Sequence, residues 1–397
     1  MTKTPAAPAR PSAHAPVLSR RALNRATLAR QLLLERAAMS AEAALTHLVG
    51  LQAQNVKPPY YALAARLAGF DPLELSGLMG ERAAVRIVTV RSTVHTLTAA
   101  DALVLRPFSQ AALDRELRMF RRGLVGVDLD RLAALARAHV EEEPRTPARI
   151  RTELLRHWPD ADPQSLGIAA RVRLPLLQVT PRGLWRRSGQ VALTTAEHWL
   201  GRPLADEAAP DGIVPRYLGA FGPASVKDMQ AWAGLTRLRE AFERLRPGLR
   251  TFRDEHGVEL FDLPDAPRPD PETPAPPRFL PEYDNLLLAH ADRTRVMDPV
   301  HKDRTWTGNQ PHRTFLVDGF LAGVWRLDEP GDGDGGGGGG AGGAGVRLTV
   351  QPFVDLDRQQ RQEVLAEAER TARLLGGDGA PATSSCDIRF GEVVPGR

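Results

Sequence analysis

One arrangement recurs three times along this chain and limits what it can fold into: two or three short helices, then a β-hairpin. In the first unit, residues 17–125, helical spacing covers Asn24–Arg36, Ala41–Leu51, Pro59–Leu67 and Leu73–Gly80. Ala84–Thr98 follows, with the β-branched pattern Val85, Ile87, Thr89 and then Thr93, Thr96, Thr98 that marks paired strands. The second unit, residues 126–205, has a helix over Leu129–Val140, a second capped by Thr146 and reaching Trp158, and a third over Pro163–Leu177. Its hairpin is expected over Arg182–Leu193, turning at Ser188-Gly189. The third unit, residues 206–264, offers helices over Arg216–Phe221, Ser225–Ala233 and Arg237–Leu245. Strands Leu249–Arg253 and Val258–Leu263 then pair across Asp254–Gly257. Helix, helix, helix, hairpin is the order of a winged helix, a helix-turn-helix whose hairpin is the wing. The repeat is architectural, without residue-level identity between units.

Residues 265–277 hold too many prolines for a helix or an inner strand and read as a linker. Residues 278–397 read as mainly β. Phe315–Trp325 is a hairpin turning at Asp318-Gly319, Arg358–Leu375 an amphipathic helix, and Asp387–Val394 a closing strand. Gly331–Gly345 is a low-complexity loop leading to Val346–Gln351. It has no Lys-Ser/Thr ending and follows no βα unit, so it is a surface insertion and not a phosphate-binding loop. Residues 1–16, Pro/Ala-rich without an apolar core, read as a disordered tail, neither signal peptide nor anchor. The fold class expected is therefore α+β: three tandem winged helices followed by a C-terminal β-rich region.

The single cysteine, Cys386, excludes an internal disulfide framework and any Cys-rich zinc site, which fits a reducing cytoplasm. No stretch approaches the roughly 18 apolar residues of a membrane helix. No His/Glu or Cys/His spacing suggests a metal, so neither metal nor cofactor is expected. Among the 52 basic residues only Lys3, Lys57, Lys227 and Lys302 are lysine, leaving 48 arginines. Arginine's planar fork suits phosphates and guanine edges, although a GC-rich genome gives the same bias whatever the function.

Candidate chemistry concentrates where the second helix meets Pro58-Pro59. The prolines end the helix before them and should push Lys57 into an extended conformation. If Gln52-Ala53-Gln54 is extended, both glutamine amides point the same way and can hold a water, a phosphate or a base edge. Equally, polar residues collect where helices end. Arg91, Thr93 and His95 alternate on the first hairpin and would project together toward a DNA backbone, though His95 could instead be a satisfied interior histidine. Arg149, Arg151, Arg171, Arg173, Arg186 and Arg187 could line a phosphate track. Thr307–Pro311, with Asn309 and Gln310, could probe a groove, but polar loops face solvent by default. Asp284 and Asn285 read as turn and cap residues.

Several of these segments resemble one family. They are Leu51-Gln52-Ala53-Gln54, Arg91-Ser92-Thr93-Val94-His95, Leu280-Pro281-Glu282-Tyr283-Asp284-Asn285-Leu286-Leu287, His290-Ala291-Asp292-Arg293-Thr294-Arg295 and Leu316–Trp325. Together they look like the AlkZ/YcaQ family of winged-helix DNA glycosylases, over nearly the whole chain from residue 17. Gln54, where YcaQ-like members carry Asp, places the resemblance in the AlkZ-like branch, which includes self-resistance enzymes of producers of DNA-alkylating antibiotics. The resemblance implies a C-shaped array cradling duplex DNA, with a C-terminal hairpin reaching toward the groove. It also implies removal of N7-alkylated purines, in some members from interstrand crosslinks, with Gln52 and Gln54 catalytic. Ala53 is smaller than the family's usual middle residue, and the glycine loop is longer.

The expected partner is thus double-stranded DNA carrying alkylated purines, met by a monomeric, nucleoid-associated cytoplasmic protein with no membrane contact. The expected DNA contacts are Lys57, Arg91, Thr93, His95, Arg171, Arg173, Arg186, Arg187, Asn309 and Gln310. A Schiff-base lyase role for Lys57 is disfavoured, making the enzyme monofunctional. A non-catalytic winged-helix regulator is the alternative. Regulators usually pair one such module with a dimerisation or ligand domain, and three units without a heptad argue against it. A protein-binding scaffold would lack the steep salt dependence of DNA affinity.

Overall fold

The computed structural model describes residues 15–206, 208–308, 310–328, 346–376 and 386–392. The helices begin where short polar residues can cap them. Ser19, Ser40, Asp71, Thr98, Asp128, Thr146, Asp162, Thr195 and Ser225 each accept an amide hydrogen from the first turn of the following helix. The first helix accordingly runs Arg20–Arg30 rather than 24–36, and the second Ala41–His47, stopping short of Leu51. Two helices of ten residues were not anticipated, Ala99–Phe108 and Gln110–Met119, nor were the short helices Ala196–Leu200 and Asn285–Leu288. Thr98 ends a strand and caps the next helix at once, so no turn residue marks the change, and Pro107 inside that helix resembles a break.

The three expected hairpins are present, one of them shifted. Ala84–Val88 pairs antiparallel with Val94–Thr98, and Arg250–Asp254 with Glu259–Asp262. The second is not Arg182–Leu193: its strands are Leu176–Gln178 and Leu193–Thr195. The residues between are bound elsewhere. Gly183 carbonyl accepts from the Tyr60 hydroxyl at 2.7 Å, and the Trp185 amide donates to Ser76 Oγ at 2.6 Å. First and second hairpins join one five-stranded sheet, in the order Leu51–Gln52, Val94–Thr98, Ala84–Val88, Leu176–Gln178, Leu193–Thr195. Val85, Ile87 and Leu97 of that sheet share an apolar core with Tyr217, Phe221, Trp232 and Phe242 of the third unit. The units are therefore not independent bodies.

The C-terminal region forms a second five-stranded sheet, with Arg278–Leu280 at one edge and Asp387–Phe390 at the other. It shares a core with helices Pro58–Arg66 and Arg358–Gly376. Asp318 and Gly319 turn its central hairpin as expected, both at positive φ, and Asp318 is also paired with Arg21 and Arg25. Residues 265–277 are no free tether. Arg30, Arg21 and Arg25 donate to the carbonyls of Pro267, Pro271 and Thr273 at 3.1, 2.8 and 2.7 Å. The glycine loop and residues 1–14 of the expected tail lie outside the described residues.

Candidate active site

Gln52 ends the two-residue strand at the edge of the first sheet, directly opposite His95. Gly50 lets the chain enter that strand: its φ is +86°, and a Cβ would stand 2.1 Å from Leu97 Cδ2. The next amide, Ala53, still donates to the Val94 carbonyl at 2.7 Å, so the backbone runs alongside the hairpin as far as Gln54. Both glutamines turn toward that hairpin. Gln52 Oε1 accepts from the Arg91 guanidinium at 2.7 Å, and Gln54 Oε1 from the Val94 amide at 3.2 Å. Arginine and backbone N–H only donate, so each amide must present its oxygen to the hairpin and turn its NH2 away. Gln52 is 5% exposed, whereas Gln54 is open to solvent. The pair thus straddles the protein surface.

The hairpin does not present Arg91, Thr93 and His95 together. Arg91 and Ser92 form its tip, both at positive φ, and the strand resumes only at Val94. Arg91 is spent inward, on Gln52 and on the Trp232 carbonyl. Thr93 Oγ1 donates to the Val90 carbonyl at 3.1 Å. His95 is 2% exposed, with Nδ1 3.0 Å from the Thr93 carbonyl. Burial first, then the Arg91 charge, lowers its pKa to about 3, so it is a neutral interior group rather than a DNA contact. Lys57 is helical, φ −74° and ψ −36°, not extended: it stands at the head of helix Pro58–Arg66, where the preference imposed by a following proline is overridden.

Half of the expected phosphate track is bonded within the protein, while Arg149 is exposed and Arg151 half-buried. Arg171 bonds Glu116 at 2.6 Å and reaches the Ser92 carbonyl, Arg173 pairs with Asp130, and Arg186 donates to the Leu375 carbonyl while lying over Trp185. Arg187 and Gln310 are exposed, Gln310 on a short ribbon pairing Gln310–Pro311 with Trp306–Thr307. Asn309 lies outside the described residues. Asp284 and Asn285 are structural as expected. Asp284 caps the helix Asn285–Leu288 and pairs with Arg66, and Asn285 Nδ2 donates to the Gly50 carbonyl at 2.8 Å.

Other residues at the site were not singled out in the sequence, although Glu282 lies in one of the segments that carry the family resemblance. Arg86 donates to the Ala53 carbonyl at 2.8 Å and the Asn55 carbonyl at 3.4 Å. Asn55 Nδ2 donates to Glu282 at 3.2 Å, and Glu282 also takes Arg313 at 3.0 Å. Only long-range folding brings these groups to residues 52–55.

A family profile described as DNA glycosylase AlkZ-like matches residues 45–374, which include both glutamines. The chain belongs to that family. It is accordingly a DNA glycosylase, an enzyme that cleaves the bond between base and sugar. A curated relative, the interstrand DNA cross-link repair glycosylase of Streptomyces sahachiroi, is 24% identical over 378 residues, spanning 89% of this chain and 95% of that protein. The solved structure of Streptomyces sahachiroi DNA glycosylase AlkZ matches with a TM-score of 0.73 at 20% identity, covering 94% of this chain and all of the other. This AlkZ-like fold is mixed α+β, and among the described residues no helix is long and apolar enough to cross a membrane.

Proposed function

We propose that this AlkZ-like enzyme hydrolyses the N-glycosidic bond of cationic N7-alkylpurines in duplex DNA, including purines held in interstrand crosslinks, with Gln52 and Gln54 as its catalytic pair. One observation carries the reading: two neutral amides, one residue apart at a sheet edge, both accept from N–H donors of one hairpin, with no carboxylate bonded to either among the described residues. Alkylation at N7 puts a positive charge on the purine, so the base leaves neutral and needs no general acid, unlike the oxygen of an ordinary glycoside. What remains is to aim water at C1′ and to stabilise an oxocarbenium-like sugar. An amide oxygen holding one hydrogen bond keeps a second lone pair. Gln54 Oε1, exposed, uses it to orient the water, while the Gln52 NH2 donates to the sugar-phosphate. This electrostatic assistance is weaker than a carboxylate's and accelerates only a bond that is already labile. Cationic lesions are therefore substrates, and neutral uracil or hypoxanthine is not.

An exposed catalytic side chain also suits lesions that cannot swing into an enclosed pocket, such as a base tethered to the opposite strand. The name of the Streptomyces sahachiroi relative supports crosslinks as substrates. The three helix-plus-hairpin units are read as winged helices that cradle the duplex, and the physiological setting as self-resistance or general alkylation repair by a monomer. The test is incubation with duplex carrying N7-methylguanine or a nitrogen-mustard crosslink, scoring abasic sites after alkali. Gln52→Ala/Gln54→Ala should abolish base release with DNA affinity nearly unchanged. Release at the wild-type rate would remove the glutamines from the mechanism.

A further inference from the structure

Two arginines, Arg86 buried and Arg91 half-buried, converge on the glutamine segment, and neither has an acidic partner among the described residues. Some interior arginines meet carboxylates, as Arg30 meets Asp262 and Arg66 meets Asp284, while Arg106 and Arg278 bond carbonyl or amide oxygens. Arg86 and Arg91 bond only to neutral oxygens: Arg86 to the Ala53 and Asn55 carbonyls and Gln178 Oε1, Arg91 to Gln52 Oε1 and the Trp232 carbonyl. Burial lowers both guanidinium pKa values to about 10, with Arg182 adding to the effect on Arg86 and Arg293 to that on Arg91. A buried charge without a counter-charge is unfavourable, so what these cations hold in place matters.

Arg91 is itself held by the third unit. The Trp232 carbonyl lies in the last turn of helix Val226–Ala233, where the partial negative charge of a helix gathers. Gly234 follows at φ +68°, and a Cβ there would stand 3.0 Å from Arg91 Cα, so the helix end rests against the hairpin tip. Turning the Gln52 amide over would set its NH2 against a guanidinium that can only donate. Arg86 acts on the main chain instead, binding the carbonyls on either side of Gln54. Gly183 closes over it, since a Cβ there would lie 2.5 Å from Arg86 Cδ.

We propose that Arg91 and Arg86 are positioning residues for base excision: Arg91 locks the Gln52 amide with its NH2 toward the substrate, and Arg86 locks the backbone that carries Gln54. The proposal rests on the reading of the two glutamines as catalytic, and neither arginine touches the reacting atoms.

The experiment is single-turnover release of N7-methylguanine from duplex, with DNA affinity by fluorescence anisotropy, for wild type, Arg91→Met, Arg91→Lys, Gln52→Ala, the double variant Arg91→Met/Gln52→Ala and Arg86→Lys. Arg91→Met should slow release about 10- to 100-fold with affinity within about twofold, because misorientation of a positioned group costs rate rather than binding. Arg91→Lys, still able to donate to both oxygens, should recover part of the rate. In the Gln52→Ala background Arg91→Met should cost almost nothing more, because the amide it positions is gone. Arg86→Lys should lower the rate and not the affinity. Equal losses with and without Gln52, or a loss of affinity in place of rate, would overturn the proposal. Should Arg91→Met fail to fold, the side-chain amide resonances of Gln52 in Arg91→Lys decide, and unshifted resonances count against the lock. A wild type that releases no base would instead refute N7-alkylpurines as substrates, a separate result.

Discussion

Arg66→Met would expose how much the fold beneath the glutamines depends on one buried charge pair. Arg66 and Asp284 are both wholly buried and joined by two hydrogen bonds of 2.8 Å. Asp284 also accepts the Leu286 amide at 2.9 Å, and its neighbour Asn285 ties down the Gly50 carbonyl, two residues before Gln52. Methionine keeps the length and apolar stem of arginine but leaves the Asp284 carboxylate with one N–H donor. Breaking one side of a buried pair costs about 3–5 kcal/mol, a factor of about 10² to 10³ or more in the folding equilibrium. Asp284→Asn keeps the capping oxygen but strands the Arg66 charge, at a comparable cost. Combining the two removes both charges and leaves mainly unmade hydrogen bonds, such as that of Arg66 to Gln31 at 3.1 Å, worth about 1–2 kcal/mol. Urea denaturation followed by tryptophan fluorescence should therefore find the double variant more stable than either single one by about 2 kcal/mol. Losses that simply add would show that the two groups are solvated separately and that the reasoning is wrong.

Two further outcomes follow from charges elsewhere. His95 and His290 are held near 3 in the folded chain by burial, against 6.5 in the unfolded one. Between those values the unfolded state binds protons that the native state does not. Stability is thus full above about pH 6.5 and falls on acidification, by up to about 1.4 kcal/mol per pH unit for each histidine, until pH approaches 3. His95→Leu should remove about half of that slope in denaturation series from pH 7.5 to 5, and an unchanged slope would contradict the buried neutral state. Arg118, Arg121 and Arg122 are exposed and unpaired among the described residues, just past the point where Arg115 of the same helix reaches the Gly234 carbonyl at 3.0 Å. Replacing all three by glutamine should flatten the plot of log DNA affinity against log salt by about 2–3 units of slope, and a parallel plot would take them off the DNA path.

Local signals were legible without the fold. Thr146 caps the helix expected of it, and the Asp-Gly pair at 318–319 turns its hairpin, because caps and tight turns depend on neighbouring residues. The Gln-x-Gln spacing could be read the same way, since an extended run fixes the relative direction of alternate side chains. Which arginines are free was not legible: Arg171 and Arg173 meet acids supplied by other helices, while Arg118, Arg121 and Arg122 lie beyond a helix that Thr98 starts without a break. His95 alternates as a surface strand residue would, yet it is buried in a sheet whose Ile87 and Leu97 share a core with the third unit. The sequence by itself determined that two glutamines stand one residue apart between the second helix and two prolines. Only the tertiary structure decided which way those amides face, because Arg91 must be fixed by a helix end 141 residues away before it can orient Gln52.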